Sequence, residues 1–169
     1  MKLILSLLII LGFASCGYKP SSKFARDIMG EKISTSVIIS AQDPANTVII
    51  KDAVDQAIIE VFHASLCAKI SSDTHLVLSI STPTYKAIVY DSDGYVTGYR
   101  MTVKLSIIRY HNGITKKYSV SGTYDFSVDA NAVVTDQERF DAIRYGAAKA
   151  IKSFVATVSA EGARAKKSE

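Results

Sequence analysis

From Ile50 the apolar residues fall at Ala53, Val54, Ala57, Ile58, Val61 and Phe62. That three-then-four spacing is an amphipathic helix with one buried stripe. The stripe fades near Ile70, ahead of Ser71-Ser72-Asp73, and the helix is expected to run to about that point. Asp43-Pro44 before it either caps the helix, with proline at the first position, or makes the turn that leads into it. A second helical pattern places Phe140, Ile143, Ala147, Ala150, Ile151, Phe154 and Val158 on one face. It opens with Thr135-Asp136-Gln137-Glu138, a capping box in which threonine and glutamate each satisfy a helix-end donor of the other. Gly146 and the alanines on that face would let the helix lie close to a sheet.

The remaining segments alternate with period two. Glu31 to Ser40 is rich in β-branched residues and reads as a strand. In the run from His75 to Tyr90, Leu76, Leu78 and Ile80 alternate with His75, Val77, Ser79 and Ser81. Pro83 should bend that strand or sit where no ladder donor is needed. Asp91-Ser92-Asp93-Gly94 is a turn. Tyr95 to Tyr110 then sets Tyr99, Met101, Val103, Leu105 and Ile107 against Thr102, Lys104 and Ser106. Asn112-Gly113 is the strongest hairpin signal, because a type I′ turn needs positive φ at both central residues. Ile114 to Phe126 returns with Lys116, Tyr118, Val120, Gly122, Tyr124 and Phe126 in alternation. The order is therefore β-α-β-β-β-α. A β-α-β opening favours a right-handed crossover between parallel strands. The expected fold is α+β: a two-layer sandwich with a mixed four-stranded sheet and both helices on one face.

The N-terminus follows other rules. Met1-Lys2 is a short positive start, Leu3 to Leu11 is almost wholly Leu and Ile, and small residues follow around Phe13. This is the three-part grammar of a secretory signal, and the run falls short of the roughly 20 apolar residues of a membrane span. Phe13-Ala14-Ser15-Cys16 resembles the lipobox of bacterial lipoproteins, with Phe13 where leucine is usual. The resemblance implies a diacylglyceryl thioether on Cys16, cleavage after Ser15 and acylation of the new amino group with a chain such as palmitate. Several acyl chains at roughly 0.8 kcal/mol per buried CH₂ make a permanent anchor. Cys67, the second of two cysteines, is then left without an intramolecular partner. Gly17 in place of aspartate after the cysteine implies transfer to the outer membrane. The expected divisions are a signal peptide over 1–15, a lipidated tether over 16–30, a folded domain over 31–160 and a basic tail over 161–169.

Composition removes more functions than it suggests. The net charge of +4 becomes +3 on loss of Lys2, too small and too dispersed for a nucleic-acid partner. His63 and Cys67 stand four apart and could share a metal with His75, but a site needs three or four convergent ligands. Only Glu60 and Asp73 lie nearby, and His63 points away from the apolar stripe; the plainer reading is an exposed histidine and a part-buried thiol. The Asp91-Ser92-Asp93-Gly94 turn lacks the later acid of a calcium loop. No catalytic constellation is visible, which favours binding over an enzyme, with no cofactor. Nine tyrosines and no tryptophan are more informative, because most of the tyrosines lie on or beside the strands, where packing explains them. Arg109, Lys116 and Lys117 flank the Asn-Gly turn as a basic hairpin tip, solvated on the plain reading and able to meet phosphates on the functional one.

Three stretches resemble the lipopolysaccharide-assembly lipoprotein family LptE: Cys16-Gly17-Tyr18-Lys19-Pro20, the run DPANTVIIKDAV from Asp43 to Val54, and Val134-Thr135-Asp136. The element order is similar as well, and the likeness is to a divergent branch. It implies an outer-membrane lipoprotein on the periplasmic face that plugs the LptD barrel, helps it assemble and contacts lipopolysaccharide in transit. Arg109, Lys116 and Lys117 are candidates for that contact from position and charge alone. The rival class is a lipoprotein regulator of a peptidoglycan synthase, which would need a long linker. Only about fourteen residues separate Cys16 from the first strand, which favours a partner close to the membrane.

Overall fold

The first two strands pair in parallel across a helical crossover, as the β-α-β opening requires. The computed structural model describes residues 28–39, 44–62, 65–130 and 132–165. In chain order it contains β1 (Ile33–Ile39), α1 (Pro44–Phe62), β2 (Thr74–Ile80), β3 (Thr84–Tyr90), β4 (Val96–His111), β5 (Ile114–Ser127) and α2 (Asp136–Ala165). β1 is parallel to β2, with Ile33 opposite Thr74. All other pairings are antiparallel: β4 carries β5 along one edge and both β2 and β3 along the other. The signal sequence, Cys16, most of the tether, Asp43, His63 and the end of the tail lie outside the described residues.

Among the described residues the sheet has five strands where four were expected, and Pro83 accounts for the difference. β2 covers residues 105–111 of β4, and β3 covers residues 96–102 of the same edge. They are two pieces of one lane, so the sheet remains four lanes wide. Proline has no N–H to give the ladder at that point. Three residues (81–83) face two (103–104), and the alternation slips by one. Ile80 points to the helices opposite Leu105; beyond the gap it is Tyr85, opposite Met101, that does so.

Both helices lie on one face. Leu76, Leu78, Met101, Val103, Leu105 and Ile107 are buried beneath Ala53, Val54, Ala57 and Ile58 of α1 and Ile143, Ala147, Ile151 and Phe154 of α2. The capping box forms as expected: Glu138 Oε2 accepts from the Thr135 N–H at 2.8 Å, and Thr135 Oγ1 accepts from the Glu138 N–H at 3.2 Å. Those hydrogen bonds from Thr135 hold the Glu138 carboxyl below its ordinary range. The hairpin turn has φ of 48° at Asn112 and 74° at Gly113, the positive pair that a type I′ turn needs.

α2 meets the sheet with almost no gap. A Cβ on Gly122 would stand 2.0 Å from the carbonyl oxygen of Gly146 and 2.6 Å from the Ala150 nitrogen. The two glycines remove side chains from the crossing, so backbone packs on backbone.

Two expected boundaries move. α1 ends at Phe62 rather than near Ile70, although Leu66 and Ile70 would continue its apolar spacing. The chain then runs beside β1, where Leu66 bridges Ile33 and the Cys67 N–H donates to the Ile33 carbonyl at 2.9 Å. The packed region is also wider than 31–160. Met29 is buried in the core, and α2 reaches Ala165 with Gly162 still buried.

Candidate functional site

The Asn-Gly hairpin brings the three candidate residues close in register but not onto one surface. Arg109 is opposite Lys116, and Ile108 is opposite Lys117. Side chains alternate across a strand, so Arg109 and Lys116 lie on the helix-covered face and Lys117 on the open one. The solvated basic tip expected from sequence is therefore corrected: Arg109 is only 4% exposed. It continues the inward row of Val103, Leu105 and Ile107. Its Nη1 donates to the Ile28 carbonyl at 3.3 Å, and its guanidinium stands 5.9 Å from the Tyr118 ring. Lys116 reaches back to α2, pairing with Glu161 at 3.1 Å. The Tyr118 hydroxyl donates to the same carboxylate oxygen at 3.1 Å, and burial pushes that phenol up to about 12. Lys116 and Lys117 are both exposed, and Arg109 alone of the three is buried.

Beside this tip the incoming chain is fastened down. Asp73 Oδ2 accepts from the N–H groups of Glu31 (3.0 Å) and Lys32 (2.9 Å). Those hydrogen bonds, the Lys32 one foremost, hold the Asp73 carboxyl below its ordinary range. Gly30 has φ of 75°, and a Cβ there would strike Asp73. Thr74 Oγ1 donates to the Met29 carbonyl and lies 2.8 Å from His111 Nδ1. Sequence reasoning gave this fastening no role; the glycine immediately before a strand was its one visible signal.

The face of the sheet away from the helices is polar over β5 and much of β4, with Ile38, Val77, Ile108 and Tyr110 as apolar members. It presents Ser36, Ser79, Thr102, Lys104, Ser106, Lys117, Ser119, Ser121 and Thr123, with the Arg100–Asp125 pair at 2.7 Å. Both members of that pair are about half exposed, so it contributes little stability. The histidine on this face is held by hydroxyls rather than acids. His75 Nδ1 is 2.8 Å from Ser34 Oγ, and its Nε2 is 3.4 Å from Ser36 Oγ. Burial, then Lys69, lowers its pKa. Among the described residues no carboxylate orients the ring, the third member that a serine nucleophile and its histidine base ordinarily have. His63 is outside the described residues, and among those described no group of three metal-binding side chains converges.

At the opposite end the strand break opens a cavity of about 190 Å³ lined by Ile49, Ile50, Thr82, Pro83, Tyr85, Arg139 and Ile143. A shallower hollow of about 450 Å³ adjoins it through Tyr85 and Arg139, with Tyr99 and Val133 on its wall. Neither lining contains a carboxylate, histidine or thiol. Such walls can hold a partner's apolar group but offer no acid–base chemistry.

Residues 34–158 match the family model described as LptE, lipopolysaccharide-assembly. The chain belongs to the LptE family. The matched span runs from the second residue of β1 through α1 and the other strands and covers most of α2. The chain is also similar to several solved structures. One is a minor lipoprotein from Acinetobacter baumannii, with 10% identity, 79% of this chain and 94% of that one covered, and a TM-score of 0.42. Another is a putative lipoprotein from Caulobacter crescentus, with 14% identity, 85% and 95% covered, and a TM-score of 0.39. A third is the PelC dodecamer from Paraburkholderia phytofirmans, with 14% identity, 73% and 87% covered, and a TM-score of 0.43. No curated protein matches the chain. Membership of the LptE family makes this a lipopolysaccharide-assembly protein, and the mixed sheet with two helices is the scaffold it uses.

Proposed function

We propose that this chain is an outer-membrane lipoprotein, anchored on the periplasmic face through lipid on Cys16. It plugs and helps assemble an LptD-type barrel and binds lipopolysaccharide on its way to the cell surface. The observation that carries the reading is the family match across residues 34–158. The surface chemistry supports it. Large outer-membrane barrels have polar interiors inside an outward-facing apolar band about 25 Å tall. The β5 side of the uncovered sheet face is lined by serine, threonine and lysine, and β4 with its 16 residues extends about 50 Å at roughly 3.3 Å per residue. A polar, stiff element of that length suits a lumen. A signal peptide over 1–15, a lipidated tether that starts at Cys16 and a basic tail after the domain belong to the same proposal.

Of the lipopolysaccharide candidates, Lys117 is placed to meet a phosphate directly, and Lys116 can do so by exchanging Glu161 for it. Arg109 acts from behind, as the buried support of Tyr118 and of the incoming chain. No step in this role requires bond making, so the protein acts by binding and not as an enzyme. Affinity purification after detergent extraction should recover a large outer-membrane β-barrel. Recovery of a peptidoglycan synthase without a barrel would sink the plug and favour the regulator. The hairpin is tested separately: Lys116→Glu with Lys117→Glu should weaken lipopolysaccharide binding. Unchanged binding removes the hairpin from the account and leaves the plug standing.

A further inference from the structure

β3 leaves a lane of the sheet open beside it. β1 runs along β2 and stops at Ile39, level with Ile80. Because β2 and β3 share one lane, the lane that β1 fills continues past its end. Among the described residues no strand occupies it along β3. The backbone groups that face this lane can be named. On β4 the Lys104 carbonyl accepts from the Ser81 N–H on the β2–β3 side, and the Thr97 carbonyl accepts from the Val128 N–H on the β5 side. These directions alternate along a strand, so Arg100 and Thr102 face β3, whereas Tyr99 and Met101 face β5. Their partners Lys86 and Thr84 are thus bonded to β4, and Tyr85 and Ala87 turn their N–H and C=O groups to the vacant lane.

This edge is also poorly guarded. Open edges ordinarily carry charges, proline or a bulge against unwanted pairing. β5 has Lys116, Lys117 and Asp125 along its own, and the start of β1 is bridged by Leu66. β3 has one charge, Lys86, in seven residues, and its irregularity comes only after Ala87. It exposes Tyr85, Val89 and Tyr90. The cavity of about 190 Å³ stands against this edge: Tyr85 walls it from β3, and Ile49 and Ile50 wall it from α1. α1 packs over β1, so the space between these walls lies above the vacant lane. No lining residue of the cavity or of the adjoining hollow comes from β1 or β5.

We propose that the open edge of β3 takes an additional strand, an extended segment of the barrel partner, with one apolar side chain in the cavity. A row of N–H and C=O groups at strand spacing is matched by another extended peptide, not by an acyl chain or a sugar. Paired residues share a face whichever way the strands run. The residue level with Tyr85 therefore points to the helix side and into the cavity, and its two neighbours point away. Backbone hydrogen bonds hold such a strand, and the cavity selects its side chain. Every wall strand of a closed barrel is already paired on both sides, so the segment belongs to a loop or terminus that enters the lumen. In naming that partner the inference rests on the plug reading; the open edge and the cavity do not. The polar sheet face stays free for the wall.

The test uses the full lipoprotein in intact envelopes, with a photo-activated crosslinker at Tyr85 and, in a second sample, at Ser121 on the open face. Tyr85 should crosslink to one short run of residues in a loop or terminus of a large β-barrel protein. Ala87→Pro deletes an N–H that β4 does not use, so the urea midpoint should hold while the barrel recovered by affinity purification falls several-fold. Ile49→Trp, which fills the cavity from α1, should lower that recovery as well. Should the proline weaken the fold itself, Ile49→Trp and the Tyr85 crosslinks decide alone. Crosslinks to a barrel from Ser121 but not from Tyr85 overturn the added strand and leave the plug. Crosslinks from Tyr85 to wall strands, to residues 40–43 of the same chain or to a second copy overturn it too, as does undiminished recovery with both variants. No barrel from either position overturns the plug reading together with the added strand.

Discussion

Replacing Gly122 by alanine puts a methyl group where α2 crosses β5. The new carbon would stand 2.0 Å from the Gly146 carbonyl oxygen and 2.6 Å from the Ala150 nitrogen, with Lys149 Cβ at 3.0 Å. Two of these atoms are backbone, so no side-chain rotation relieves the clash. The helix must retreat by roughly an ångström, and Ile143, Ala147, Ile151 and Phe154 retreat with it. Overpacking ordinarily costs about 1–3 kcal/mol; rigid atoms place this case at or above the top of that range. Removing glycine from a strand returns about 0.5–1 kcal/mol, leaving a net loss of about 2–3 kcal/mol. For a domain of this size that lowers Tm by roughly 5–12 °C. Gly146→Ala is the internal control. Its methyl would press on the Val103 side chain at 2.9 Å and make ordinary contact with the Gly122 carbonyl oxygen at 3.6 Å; glycine-to-alanine in a helix gains about 1 kcal/mol, which offsets part of that overpacking, so the loss should be smaller than at Gly122. Urea and thermal unfolding followed by circular dichroism measure both. If Gly122→Ala is no worse than Gly146→Ala, the close helix–sheet crossing described above is wrong.

Phe154→Ala should cost about 3–5 kcal/mol, because the ring is fully buried and meets Tyr118 edge-on at 5.0 Å between centroids; the urea midpoint reads it. Asp73 and Glu138 have folded pKa values below their unfolded ones. Their contribution is present above the unfolded carboxylate pKa and is lost as pH falls through the lowered folded values, so Asp73→Asn should flatten the acid side of a stability–pH profile. A profile identical to that of the unsubstituted protein would contradict the fastening of Glu31 and Lys32. Tyr118 titrates at about 12, above the ordinary phenol value. Tyrosinate absorbance should show late titration in which Tyr118→Phe removes one group, Tyr85 being raised by burial as well; the stabilising effect of Tyr118 is lost as pH rises from the unfolded value through about 12.

Much of this architecture was legible because alternation and helical spacing are direct consequences of backbone geometry. Leu76 to Ile80, Met101 to Ile107 and the α2 stripe were read on the faces where they are found. Asn112-Gly113 and Thr135–Glu138 were legible because turns and caps are local. The failures were long-range. Pro83 marked a disturbance, but the one-residue slip that turns Tyr85 toward α2 depends on how many β4 residues face the gap. Arg109 was misplaced because its charge outweighed its phase: it follows Ile107 by two and shares its face. α1 was drawn too long because Leu66 and Ile70 are apolar. One lies against β1 and the other is exposed, and neither fate is written in local spacing. The fastening of Ile28 to Lys32 stayed hidden because Asp73 is more than forty residues away in sequence.

The central claim is that this domain occupies the lumen of an outer-membrane barrel with its polar sheet face against the wall. A photo-activated crosslinker placed in turn at Ser119, Ser121 and Thr123, on the open face of β5, tests it in intact envelopes by mass spectrometry. The account predicts crosslinks from all three positions to inward-facing residues of one large β-barrel protein. Crosslinks only to soluble periplasmic proteins, or none from this face, would contradict it.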